Sequence, residues 1–340
     1  MNFIDSIHHI AKGFEFEKGE IVLLHFFGDN RDLDVLDKLA IEIGKSGAVP
    51  MKFQQSREFV KDYYSAVDKE NLTFPEKYFD VFKIADSVID ICMYPVPAPH
   101  KEFPRDKMDE YRQNMMNTMR SIMPDKKYYI QLRVPTKENA AAEGLEFSVY
   151  EKAMLDAFNI DYVKLKEKSK EVIKGFEGVK KVEIYTGKDS RLQFDITERP
   201  WHRDDGFGDL PCGEVYVAPV EESVNGDIII PKAFLNGDRL ENITLSFENG
   251  VLVSSSHQLI IEHASQFPGD SNVFAEFGIG LNENVKDLLG YALIDEKCSE
   301  TMHIAIGMND MFGGKNSSPF HMDFIFKPTR VMIDHMEFKL

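Results

Sequence analysis

The chain has 340 residues, 43% of them hydrophobic and 11% aromatic, and a formal charge of −17. That length exceeds what a single hydrophobic core usually supports, so two domains are expected. The acidic balance argues against a nucleic-acid partner and against an anionic membrane surface, since the net field repels both, and no apolar run is long enough to span a bilayer.

The start, Met1-Asn-Phe-Ile-Asp-Ser-Ile-His-His9, lacks the basic residues and long apolar centre of a secretory signal. Cys92, Cys212 and Cys298 are odd in number and show no Cys-x-x-Cys spacing. Free thiols in a reducing cytoplasm are the expectation.

In chain order, Ile21–Phe27 is an apolar run that predicts a buried strand. Leu33–Ile43 has helical spacing, with Gly44 and Gly47 at its end, and Ala48–Phe53 predicts a second strand. Helical patterns over 57–66, 75–85 and 105–121 alternate with strand patterns over 87–93 and 127–134. This βαβ texture predicts a parallel sheet with covering helices. No Gly-x-Gly-x-x-Gly follows Phe27, so no dinucleotide-binding residues are expected. The Pro-rich Tyr94–Pro99 stretch reads as a strand exit, a usual place for ligands in open α/β sheets. Met108, Met115, Met116, Met119 and Met123 lie near one helical stripe and are read as core.

A charged helical pattern over 147–174, closed by Gly175 and Gly178, predicts a helix bridging two domains. The expected division is therefore an α/β domain over 1–146, a bridging helix over 147–178 and a β-rich α+β metal-binding domain over 179–340. Strand signals follow at Lys181–Thr186 and Leu192–Ile196 around a turn at 187–190. A loop rich in Asp, Gly and Pro is expected over 197–213, and strands at 224–231, 243–247 and 251–253, with Glu248-Asn-Gly250 as a hairpin turn. Glu214 stands at a strand start, where it is either an ordinary strand-end charge or a carboxylate reaching a site.

The stretch from Phe274 to Phe326 carries the chemistry. Glu276, Glu296, His303, His321 and Asp323 are interleaved there with apolar and Gly-rich segments. His321 and Asp323 are two apart, so on a strand both point to one face. Glu276 and His303 sit inside apolar runs, where a buried charge costs several kcal/mol unless it is paired or metal-bound. Imidazoles with carboxylates suit zinc, cobalt, manganese or iron, and no Cys pair marks a structural zinc knuckle. His257 and His263 are alternative ligands, ranked lower because they lie outside this stretch.

These segments, with Gly213-Glu214-Val-Tyr-Val-Ala-Pro219, Asn225-Gly226, Ala275-Glu276-Phe-Gly-Ile-Gly280, His303-Ile-Ala-Ile-Gly307 and Gly314-Lys-Asn316, give a chain that resembles the thermophilic metallo-aminopeptidases of the aminopeptidase T and aminopeptidase S type. The resemblance implies two divalent metal ions, zinc, cobalt or manganese, held by Glu214, Glu276 as the bridging carboxylate, Glu296, His303, His321 and Asp323. It also implies a homodimer and hydrolysis of the N-terminal bond of short peptides; no general base is assigned. Two departures stand out. The Tyr usual a few residues after His-x-Ala-x-Gly is replaced by Met308-Asn-Asp310, and the spacing from His303 to His321 is short. A mononuclear non-haem iron dioxygenase cleaving a hydroxypyridine is the alternative, since it needs only two His and one carboxylate. Retention of three glutamates favours the dinuclear hydrolase, and a non-catalytic metal-stabilised protein is the third reading.

Overall fold

The computed structural model describes residues 2–54, 56–96, 98–188, 190–235 and 238–339. The chain forms two compact units, Met1–Asn159 with Gly206–Pro211, and Ile160–Asp205 with Cys212–Leu340.

The first unit is built on five parallel strands in the order Val49–Gln54, Ile21–Phe27, Ser87–Cys92, Tyr129–Arg133 and Asp209–Leu210. Every residue of Ser87–Cys92 is buried, as a strand covered on both faces requires. Helices Leu33–Ser46, Arg57–Ala66 and Met108–Ile122 take up the periodic segments read from sequence. The helix expected over 75–85 is instead a short helix, Glu76–Phe79, followed by a 3₁₀ turn, Asp80–Ile84. Only Phe79 and Phe82 are buried there, and 3₁₀ geometry stacks residues three apart. Of the stripe methionines, Met108, Met115, Met119 and Met123 pack against core clusters, whereas Met116 is exposed. In the Tyr94–Pro99 exit, where Pro97 lies outside the described residues, Tyr94 is buried beneath the Arg57 guanidinium.

The single helix expected over 147–174 is two, Phe147–Phe158 and Tyr162–Gly175. Asp161 causes the break: its carboxylate accepts from the backbone N–H groups of Val163 and Lys164, capping the second helix.

The second unit contains two antiparallel sheets. One has seven strands, in the order Val251–Ser255, Asp238–Glu248, Asn225–Leu235, Leu192–Asp195, Lys181–Tyr185, Arg330–Ile333 and Met336–Phe338. Asn249 and Gly250, both at positive φ, make its predicted hairpin turn; at the other predicted turn, Asp189 lies outside the described residues. The second sheet has five strands, in the order His321–Phe326, Met302–Gly307, Phe274–Gly280, Glu214–Val217 and Trp201–Asp204. The last of these lies in the segment expected to be loop. The two sheets bury their facing sides through Phe194, which meets Phe277 at 5.2 Å and Phe274 at 5.7 Å between ring centroids. A β-bulge between Phe274 and Glu276 lets both phenylalanines reach that core while Glu276 faces the other way. The fold is thus mixed α/β, as expected from sequence. No helix among the described residues is long and apolar enough to cross a membrane.

Candidate metal centre

Strand register explains how residues scattered over more than a hundred positions meet. Residues opposite one another in an antiparallel ladder share a face. Asp204 lies opposite Glu214, and His202 opposite Tyr216. Tyr216 lies opposite Gly278, and Gly278 opposite His303. Glu276 and Asp323 both lie opposite Ala305, and His321 opposite Gly307. One face of the five-stranded sheet therefore carries His202, Asp204, Glu214, Tyr216, Glu276, His303, His321 and Asp323, while Trp201, Val215, Phe277, Ile279, Ile304 and Phe324 occupy the other.

The middle of the polar face is floored by small residues, and at Gly278 the reason is steric. A Cβ there would stand 1.9 Å from His303 Nε2, so only glycine leaves the imidazole room to lie across the sheet. His303 is fully buried; its Nε2 lies 3.2 Å from Glu276 Oε1 and 3.2 Å from Glu214 Oε2. Glu276 reaches the second histidine with its other oxygen, Oε2 standing 3.5 Å from His321 Nε2, and Asp323 Oδ1 is 3.5 Å from that same nitrogen. His321 Nδ1 donates to the carbonyl of Met308 at 2.8 Å, which leaves Nε2 to the site.

Glu296 joins from outside the sheet, directly after the short helix Ala292–Asp295. Its neighbour Asp295 is a structural residue: both its oxygens cap backbone, accepting from Leu289 N and Gly290 N at 2.7 Å. Burial nevertheless raises the Asp295 carboxyl to about 6.

Sequence reasoning missed the role of Lys297. Its side chain is 1% exposed, and Nζ binds Glu214 Oε1 at 2.5 Å, Glu296 Oε1 at 2.7 Å and Asp204 Oδ2 at 2.9 Å. Nothing in the sequence distinguishes it from a surface lysine after an acidic pair; Asp204 was hidden within a predicted loop. The predicted site residues Glu214, Glu276, Glu296, His303, His321 and Asp323 all come together. His257 and His263 do not: His257 Nε2 meets the Glu241 carbonyl, and His263 packs on Phe267 and Phe320. The Gly314-Lys-Asn316 motif is a clamp. Asn316 Nδ2 donates to Phe274 O and Gly307 O, tying the ends of two site strands, and a Cβ at Gly314 would stand 2.0 Å from Asn309. Asn309 in turn donates to Glu221 and Ala275 O.

The electrostatics follow from this crowding. Burial pushes the Glu214 carboxyl well above its ordinary value and Glu296 to about 7, against the pull of Lys297. His321 is raised to about 10 by Asp323 and Glu276 in spite of its desolvation. His303 is raised too, again against desolvation, by Glu276, Asp323 and Glu296. Tyr216, flanked by His202 and Phe312, is raised first by burial and then by Glu276 and Glu214, so its phenol stays protonated.

These residues fit metal ions. Glu214, Glu276 and His303 bring one donor atom each within 4.8 Å of one another, and so do Glu296, His303 and Asp323. Glu214 Oε2, His303 Nδ1 and Asp323 Oδ1 are buried without a hydrogen bond. Five carboxylates, Asp204, Glu214, Glu276, Glu296 and Asp323, face a single ammonium, and so dense a buried negative charge requires cations or protons.

A glycine-floored sheet presenting buried carboxylates and imidazoles is the apparatus of a metal-dependent hydrolase. Residues 8–338 match the family described as thermophilic metalloprotease (M29), and the chain belongs to that family. It is a metallopeptidase, as the sequence resemblance led us to expect. Among solved structures, wild-type AmpT from Thermus thermophilus shares the fold, at 17% identity and a TM-score of 0.64, over 97% of this chain and 95% of that one. No curated protein matches.

Proposed function

We propose that the protein is an aminopeptidase that removes the N-terminal residue of short peptides at a dinuclear metal centre. The ligands in this reading are Glu214, Glu276, Glu296, His303, His321 and Asp323, and the ions are zinc, cobalt or manganese. The observation that carries it is the charge inventory of the polar face. Taking Lys297 as ammonium and the imidazoles as neutral, the carboxylates leave an excess of four negative charges, which two divalent ions would balance. A site with two imidazoles and one carboxylate, as an iron dioxygenase needs, has no use for that excess.

Bound in pairs, such ions polarise a scissile carbonyl and lower the pKa of water. The chain's own residues set the stage. Glu276 spans the two histidines with its two oxygens, which supports its assignment as the bridge. Lys297 holds one oxygen each of Glu214 and Glu296, which leaves the other oxygen of each for the ions, and Met308 O fixes the His321 tautomer. The Tyr216 phenol, protonated and on the same face, is available to donate a hydrogen bond. Cytoplasmic location and a homodimer complete the proposal, the first supported by three buried free thiols and the second by the family resemblance.

The test is a panel of amino-acid amides and dipeptides, each with an N-acetylated counterpart, offered to metal-loaded protein. Free N-termini should be cleaved and acetylated ones spared. Equal cleavage of both would reject the aminopeptidase assignment while leaving the metallopeptidase intact.

A further inference from the structure

The first unit holds a cavity of about 670 Å³, lined by Phe53 and Gln54 from a sheet strand, by one face of the helices Arg57–Ala66 and Met108–Ile122, and by Phe74, Pro75, Lys77 and Tyr78 between them. None of these residues belongs to the metal centre. The volume is that of a small-molecule pocket.

Hydrogen bonds and ring contacts hold its walls. Asn114, 7% exposed, donates from its amide to Tyr64 Oη at 2.9 Å and to Leu72 O at 2.7 Å, locking the back wall. Phe53 stacks on the fully buried His25 at 5.5 Å and meets Phe82 edge-on at 4.7 Å. Tyr63 lies between Phe59 and Tyr64, and Phe74 packs on Tyr78. Phe59, by contrast, is 66% exposed, a large apolar ring left at the surface where the pocket opens.

The charge of the lining is one-sided. Among the described residues, Lys77 is its one charged side chain and no carboxylate contributes, although acids outnumber bases in this chain. Tyr63, Tyr78 and Tyr111 add phenols, and burial raises the pKa of Tyr78 and takes Tyr111 to about 12, so both stay protonated donors. Aromatic walls select a flat apolar body, and a cation with hydroxyl donors selects an anionic acceptor at one end.

We propose that this cavity is a second ligand site, which takes a planar aromatic carboxylate. The rings hold the body of the ligand, and Lys77 meets its carboxylate. None of its lining residues is a metal ligand in the proposed centre, so the site does not depend on the metal reading.

The test titrates metal-loaded protein with 2-naphthoate, 2-naphthol and 2-naphthylmethylammonium, following tyrosine fluorescence and heat. Naphthoate should bind saturably with one site per chain and a Kd of about 0.01–1 mM, naphthol more weakly and the ammonium least. Lys77→Glu, a change at the surface, should weaken naphthoate several-fold and reverse the order of the two charged probes. Val60→Trp should fill the cavity and abolish binding of all three while metal content and circular dichroism stay unchanged; should it misfold, Lys77→Glu still decides the point. Absence of saturable naphthoate binding, binding that ignores both substitutions, or equal affinity for naphthoate and the ammonium would each overturn the proposal.

Discussion

Each unit buries a histidine against a carboxylate, and the two sites behave as chemical opposites. In the parallel sheet, His25 is fully buried and its Nδ1 meets Asp90 Oδ1 at 2.9 Å, while Tyr129 donates to the other oxygen of that carboxylate. One acceptor group serves two partners, and Phe27 and Phe53 close over the imidazole. In the antiparallel sheet, His303 is equally buried but faces Glu214 and Glu276 together, with Asp323, Glu296 and Asp204 close by and one lysine among them. The contrast shows that a buried His–carboxylate pair is not in itself a metal site. An excess of acceptors that the protein's own donors cannot satisfy is what marks one.

That contrast breaks most sharply at Glu276. Glu276→Gln replaces a charged two-oxygen acceptor with an amide that keeps one oxygen, so both ions should be lost together and turnover should fall by about 10³-fold or more. Metal titration with parallel kinetics checks this; two ions bound at unchanged affinity would remove Glu276 from the bridge. Gly278→Ala comes next. The added methyl has no room beside His303 Nε2, so the imidazole must shift, at a cost of about 1–3 kcal/mol in stability and about 10–100-fold in metal affinity. Calorimetry with and without metal separates the two effects.

Acidity offers a gentler probe. Protons and metal ions compete for the same atoms, and Glu296 is raised to about 7 and His321 to about 10 in the metal-free site. Metal affinity should therefore rise with pH and fall steeply as pH drops from about 8 to 6, with protons released on binding. Titrations in buffers of differing ionisation heat count those protons, and a pH-independent affinity would mean that neither Glu296 nor His321 carries a proton to displace. The smallest effect is expected at the opposite pole: His25→Phe should cost about 1–3 kcal/mol in stability, because Asp90 loses a partner, yet leave metal stoichiometry untouched. A change in metal content would show that the two histidine sites are not independent.

Much of this was legible in the sequence because strand alternation leaves a periodic trace. The pair His321 and Asp323 reads directly as one face of a strand, Glu276 and His303 stand out as polar residues inside apolar runs, and the apolar runs of the first unit read as a covered parallel sheet. What could not be read depends on contacts between distant segments. Trp201–Asp204 is a short edge strand of mostly polar residues, so it looks like loop until its pairing with Glu214–Val217 is known. Lys297 looks like any lysine until three carboxylates converge on it. The break at Asn159–Asp161 turns on one capping carboxylate, a local choice that helical periodicity does not register.

Charge balance is the ground for the proposed dinuclear centre, and a count of ions tests it. Protein stripped of metal, reloaded with zinc or manganese at pH 8 and dialysed to equilibrium should hold two ions per chain by elemental analysis. One ion per chain at saturation would contradict the dinuclear centre, and would mean that protons or Lys297 neutralise the remaining carboxylates.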